Sequence, residues 1–497
     1  MTLTLESTAR RMLIGGESVE AANAERFDVQ SPAHEVPVGS YPRGGDADVD
    51  RAVGAARTAF DTGPWPRLAA AGRARILHRV SELIRRDLDA LARVETLEGG
   101  KPISQARDEI SAGADLWEYA ATLARHAYGD AHSGLGQDML GLVLREPLGV
   151  VSLIMPWNFP LLIVSQKLPF ALAVGCTAVV KPSELTPGTT VMLAELCREA
   201  GIPDGVVNVV TGPGSVIGAA MTAHRGVNMV SFTGSTAIGT RVAATAASQL
   251  KRVELELGGK NPQIVFPDAD LDAALDAVVF GVYFNQGECC NSGSRLLVHK
   301  DIAAEFSDAV IGRARDVVVG EPLDEATKVG AIVSDEQLAT IERYVAEGSS
   351  AGADLRLGGN RRASGPGRFY EPTVFTGVQP DMSIATEEIF GPVLSVLTFA
   401  DLDEAVALAN STMYGLSAGV WTSNVDTALR AARELRAGTI WVNSWMDGYP
   451  ELPFGGVGSS GIGRELGRQA IEAFTETKTI QLHIGERTNW WLPRAAS

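Results

Sequence analysis

The stretch NQGECCNSG, residues 285–293, sets Cys289 beside Cys290 in a chain with four cysteines in all. A thiol is a nucleophile where it can ionise and be reached, and is inert when packed in an apolar interior. Gly287, Glu288, Asn291 and Ser292 are not core-type neighbours, so the stretch reads as an exposed loop offering one reactive cysteine, with the choice between the two open. In ELELGGKNP, Glu254 and Glu256 stand two apart and share one face of a strand before a Gly-Gly turn. Either carboxylate, partly desolvated, could act as a general base, or both could mark an exposed strand end. MPWNFP ends an apolar run at Asn158, whose amide could donate to a developing oxyanion or serve as a turn former between two prolines.

A second group of residues has the chemistry to hold a dinucleotide. VVKPSE puts Lys181, Ser183 and Glu184 at the end of an apolar strand, where a carboxylate accepts from a ribose 2′-hydroxyl and repels a 2′-phosphate. That favours NAD over NADP, with NADP still possible. GPGSVIG (Gly212, Gly214, Gly218) lacks the GxGxxG spacing, and FTGSTAIG lacks the lysine of a P-loop. Phe232 to Ser235 nevertheless follow a strand and open a helix, where free backbone N–H groups can meet a pyrophosphate.

These residues need elements to position them. From residue 148 onward, short Val/Ile-rich runs alternate with amphipathic stretches, the pattern of βαβ units around a parallel sheet covered on both faces. A second such series follows Pro262, and residues before 120 read as mostly helical. The expected fold is therefore α/β with two doubly wound parallel-sheet domains packed around a shared cleft. The apolar region 149–180 is broken by Pro156, Asn158, Pro160, Gln166, Lys167 and Pro169, so it reads as buried strands and a helix rather than a membrane span of about 20 apolar residues. A net charge of −17 argues against nucleic acid and anionic membrane as partners. Four cysteines without disulfide or metal-ligand spacing point to the reducing cytoplasm and to no metal. A cysteine protease would need His224 or His299 brought to the thiol by the fold.

Taken together, PWNFP, KPSE, FTGST, ELGGKNP, FNQGECCNSGSR, EEIFGPV and PFGGVGSSGIGRELG resemble the ordered motif set of the NAD(P)-dependent aldehyde dehydrogenases, from about residue 14 to about residue 480. The resemblance implies that Cys290, three residues before Gly293, is the nucleophile and Glu256 the base, with Cys289 a neighbour. It implies an oxyanion hole of Asn158 and the Cys290 N–H, and a relay carboxylate at Glu465. It places the cofactor against Pro156, Trp157, Lys181, Ser183, Glu184, Gly214, Phe232, Gly234, Ser235, Leu257, Glu388 and Phe390. The presence of Glu256 points to the hydrolytic branch rather than the acylating one. A substrate tunnel is implied from Ile163 and Gln166 to a mouth at Tyr283, Phe284, Glu288, Cys289, Asn291 and Trp445.

YPELPFGG is similar to the betaine and amino-aldehyde branch, and Glu288 with Tyr283 and Trp445 could attract a cation. Gln166 stands where many relatives carry an aromatic, which leaves broad-range aliphatic or aromatic aldehydes as the other substrate class. By resemblance the NAD-binding domain spans 1–124 and 148–258, the catalytic domain 259–470, and a small β bridging segment 125–147 with 471–497, the last making a homodimer or homotetramer. The alternative to a hydrolytic dehydrogenase is a catalytically silent structural or ligand-binding member. Retention of Cys290, Glu256 and Asn158 speaks against it.

Overall fold

The computed structural model describes residues 7–362, 366–485 and 491–492, so Trp490 and the other positions 486–489 and 493–497 of the expected bridging tail lie outside the described residues. Eight strands form one sheet in the order Gly461–Ile462, Arg252–Glu256, Met229–Thr233, Val150–Ile154, Thr177–Lys181, Val207–Val209, Met12–Ile14, Glu17–Val19. The five from Arg252–Glu256 to Val207–Val209 are parallel. Chain order runs outward in opposite directions from Val150–Ile154 and Met229–Thr233, so a crevice opens between their carboxyl ends. Every residue of Val150–Ile154 and Thr177–Lys181 is buried, as strands covered on both faces must be.

The helix Pro160–Val174 shows why the sequence folds this way locally. Pro160 sits in its first turn, where a missing N–H costs nothing, and Gly175 ends it at φ 102°, a left-handed position that suits glycine. Apolar residues surround it, and it lies buried against the first sheet and the helix Ile103–Ala124. The amphipathic stretch from Ala70 divides at Asp87 into the helices Ala70–Arg86 and Leu88–Gly99.

A seven-stranded sheet follows in the order Asp354–Leu357, Thr373–Thr376, Val393–Phe399, Arg295–His299, Pro262–Val265, Ser417–Trp421, Thr439–Val442. All its pairs are parallel except the first. The expected α/β class with two parallel-sheet bodies is thus the fold observed. In a further, antiparallel sheet the strand Met139–Pro147 pairs with Thr475–His483 on one edge and Asp130–His132 on the other. The helical expectation for the start of the chain fits 46–124, whereas the residues before Asp46 form short strands, including Arg26–Gln30 and Pro37–Pro42. Gly461–Ile462 comes from the range expected in the second body, yet it pairs antiparallel with Leu255 and Glu256 of the first.

Candidate active site

The loop of the paired cysteines follows the helix Leu271–Tyr283 and is held from several sides. Asn285 and Gln286 adopt φ of 49° and 58°, a left-handed conformation that costs side-chain-bearing residues about 1–2 kcal/mol each. Hydrogen bonds fix it: the Asn285 N–H donates to Gln105 Oε1 at 2.9 Å, and Gln286 Oε1 accepts from the Gly330 N–H at 3.2 Å. On the far side of the cysteines, Asn261 Nδ2 donates to the carbonyls of Cys290 (2.7 Å) and Ser292 (2.9 Å). The loop is a buried one rather than the exposed one expected: Cys289 is 6 % exposed and packs into the first core, and Cys290 is half-buried. A hydrogen bond with Cys289, then burial, then the charges of Glu256 and Glu388 hold the Cys290 thiol well above its usual pKa.

Asn158 enters from the end of the strand Val150–Ile154. Its Nδ2 donates to the Glu288 carbonyl at 3.1 Å, which leaves the second amide hydrogen for another acceptor. Its own backbone carbonyl accepts from Lys101 Nζ at 2.8 Å and Asn285 Nδ2 at 3.2 Å. Lys101 is buried in an ion pair with Glu109 and lies 4.4 Å over the Phe159 ring.

Glu256 is buried, and its Oε1 has no hydrogen-bond partner among the described residues. Burial and then the Glu465 charge raise its pKa well above the carboxylate range, against the opposing pull of Lys167. Lys167, fully buried on the helix Pro160–Val174, is paired with Glu465 and donates to Ser231 Oγ at 3.0 Å. Burial pushes its ammonium down, but Glu465, Glu254 and Glu256 together outweigh that and raise it.

The expected cofactor residues gather at the crevice of the first sheet. Lys181 Nζ meets Glu184 Oε2 at 3.1 Å, and the Gly214 N–H donates to Glu184 Oε1 at 3.3 Å. Burial drives Glu184 up, yet Lys181 and backbone donors more than offset it and hold the carboxyl low. Ser183 Oγ accepts from the Leu185 N–H and shapes the same loop. Ser235 opens the helix Thr236–Ala247 and is exposed, with Gly234 bonded back to the Glu256 carbonyl at 3.0 Å and folded over the Phe232 ring. A Cβ on Gly239 would fall 2.4 Å from Leu257, so this glycine admits close helix–strand packing. On the opposite wall the Gly259 N–H donates to Glu388 Oε1 at 2.9 Å, and burial lifts that carboxyl to about 7. Trp157, which follows the half-buried Pro156, meets Phe390 edge-on at 5.3 Å, with Phe390 at φ 58°.

The expected tunnel residues divide. Phe284 stacks on Phe159 at 5.9 Å, Ile163 is buried in the first core, and Gln166 and Asn291 are half-buried. Three readings are corrected. Glu288 is 1 % exposed, its carboxyl accepts from the Val333 N–H at 3.0 Å and from Gln286 at 3.5 Å, and burial raises it well above the usual range. It is an internal tie, not a carboxylate awaiting a cation. Tyr283 is buried with its hydroxyl donating to the Thr373 carbonyl, and Trp445 is buried against Trp441 at 5.0 Å. Both belong to the core of the second body, so neither offers a face for cation–π contact. Residues the sequence reading missed include Leu162, Met446 and Phe454, which pack half-buried against the same core as Cys289. Lys101, Lys167 and Asn261 were also missed; a lone lysine inside an apolar helix was the available signal for Lys167, since a buried amine requires a partner.

Comparison with known proteins identifies the family. The model of the aldehyde dehydrogenase family matches residues 19–480. A betaine aldehyde dehydrogenase of Bacillus subtilis is 40% identical over 475 residues, 95% of this chain and 97% of the relative. The crystal structure of an NAD-dependent aldehyde dehydrogenase from Sinorhizobium meliloti is 52% identical, with a TM-score of 0.97 over 98% of this chain and 97% of that one. That of a betaine aldehyde dehydrogenase from Staphylococcus aureus in complex with NAD+ is 37% identical, with a TM-score of 0.95 over 97% and 96%. The chain belongs to the aldehyde dehydrogenase family, as its motif order implied. Among the described residues no helix is long and apolar enough to cross a membrane, and no cluster of His, Cys, Asp and Glu is set to hold a metal.

Proposed function

We propose that the chain oxidises aldehydes to carboxylic acids with NAD, through Cys290 as nucleophile and Glu256 as base. The observation that carries this reading is the locking of Asn158 to the nucleophile loop through the Glu288 carbonyl, beside a buried carboxyl with an unpaired oxygen. Cys290 gives up its thiol proton to water and its Sγ bonds to the aldehyde carbon as the thiolate, and Asn158 Nδ2 with the Cys290 N–H donates to the alkoxide. NAD, when bound, supplies the acceptor for the hydride that leaves as the hemithioacetal becomes a thioester. Lys181 and Glu184 would hold its adenosine ribose, Ser235 its pyrophosphate, and Glu388 and Phe390 its nicotinamide end. Glu184 and the glycine-lined mouth around Gly214 and Gly234 fit that group. Glu256 then takes a proton from water, the hydroxide adds to the thioester carbon, the C–S bond breaks, and Glu465 receives the proton onward.

The half-buried wall of Phe284, Leu162, Met446 and Phe454 supports apolar aliphatic or aromatic aldehydes. The betaine aldehyde dehydrogenases among its relatives support amino aldehydes as a second reading. NADH formation across a panel of betaine, amino, aliphatic and aromatic aldehydes decides between them. Robust ester hydrolysis with no NADH from any aldehyde would sink both.

The domain division 1–124 with 148–258, 259–470, and 125–147 with 471–497 belongs to this proposal, supported by the distribution of strands among the sheets. So does a homodimer or homotetramer. The strand Thr475–His483 is exposed at nearly every residue and, among the described residues, pairs only with Met139–Pro147, so its outer edge would be open to a partner. Four free thiols suit a cytoplasmic setting.

A further inference from the structure

The base lies in a cluster with more carboxyls than one ammonium can serve. Glu254 and Glu256 share a strand face, and both are buried. Lys167 Nζ pairs with Glu465 and donates to Ser231 Oγ, whose hydroxyl donates in turn to Glu254 Oε2 at 3.4 Å. Three buried side chains, Glu254, Glu256 and Glu465, each keep one oxygen without a hydrogen-bond partner among the described residues. The other charges bearing on the pair are Arg252 on the same strand and Arg464 beside Glu465, and both guanidiniums are engaged with backbone carbonyls. Nothing in the aldehyde mechanism above uses Glu254.

We propose that Glu254 is a positioning residue for the hydrolytic base: through Ser231 it competes with Glu256 for Lys167 and so sets how readily Glu256 takes a proton from water. This rests on the functional reading above. Three carboxylates around one ammonium would leave net negative charge in the interior, so the cluster retains protons, and whichever carboxyl ionises first makes the next harder to ionise. Burial lifts Glu254 to about 8, so its charge appears in the range where the base works. Replacing it by an uncharged isostere can only lower the pH at which Glu256 ionises. A purely structural Glu254 would leave that pH in place.

The test has two readouts. Infrared titration of the carboxylic-acid band that E256Q abolishes follows the Glu256 proton without substrate. In E254Q this band should titrate about one pH unit lower than in the unmodified protein, and the pH dependence of acyl-enzyme hydrolysis should move down with it. S231A keeps all three carboxyls and cuts the link to Lys167; it should shift the band less, in the same direction, and add nothing to E254Q in the double variant. Coincident titrations in the unmodified protein, E254Q and S231A overturn the inference, NADH formation notwithstanding. A shifted band without NADH from any aldehyde overturns the functional reading instead.

Discussion

The side-chain amide of Asn158 is bonded at 3.1 Å to the carbonyl of Glu288, two residues before Cys290. The expected oxyanion donor and the attacking thiol are therefore mounted on one continuous network, although they come from different sheets. Asn158→Ala should lower kcat by about 10²–10³-fold, as loss of a single oxyanion donor does. Single-turnover measurement of NADH formation checks this; an unchanged first turnover would place the oxyanion elsewhere.

The paired cysteines should separate in function. Cys290→Ala should abolish NADH formation, while Cys289→Ala, which trims a core contact, should retain most of it. The reverse outcome would shift the assigned register by one residue.

Glu256→Gln should release about one NADH per site and then stall, because hydrolysis of the thioester loses its base. In the unmodified protein burial keeps Glu256 protonated well beyond the ordinary carboxylate range, so hydrolysis should accelerate as pH rises. Rapid-mixing absorbance across pH separates the first turnover from later ones.

Lys101→Met would leave Glu109 buried without its cation and remove a donor from the Asn158 carbonyl. Breaking a buried pair from one side costs about 3–5 kcal/mol. Denaturant unfolding should register that loss, and kcat of the surviving fold should fall because Asn158 is less firmly held.

Lys260 is a buried amine without a hydrogen-bond partner among the described residues, and burial lowers it to about 7. In the unfolded chain it titrates near 10.5, so between those values the unfolded state binds the extra proton and stability falls as pH drops. Below about 7 both states carry the charge and the loss is complete. Lys260→Met should therefore gain stability over the unmodified protein progressively from about pH 10 to 7, by roughly 1–3 kcal/mol at neutrality. Equal gains at pH 10 and pH 7 would contradict the assignment.

What the sequence disclosed follows from range. Strand periodicity is local, so the shared face of Glu254 and Glu256 is legible from their spacing alone. The family's motif order extends that legibility to Asn158, Glu388 and Glu465. Partners far along the chain were not legible: Lys167 and Glu465 are 298 positions apart, and Glu288 finds the Val333 N–H 45 positions away. Glu288 reads as a loop carboxylate because nothing in its neighbourhood reveals that a distant N–H will bury it. Trp445 and Tyr283 looked like a cation's cage because an aromatic side chain is equally at home in a core.

The pairing of Glu256 with Gly461 has a consequence for biosynthesis. The strand that carries Glu256 is complete early, but its outer edge stays open until some two hundred further residues have left the ribosome. During that interval a nascent chain presents an unprotected β-edge beside Glu256, the kind of surface that chaperones shield and that aggregation exploits. Stalled or truncated translation products ending before Gly461 should therefore be the aggregation-prone species of this protein.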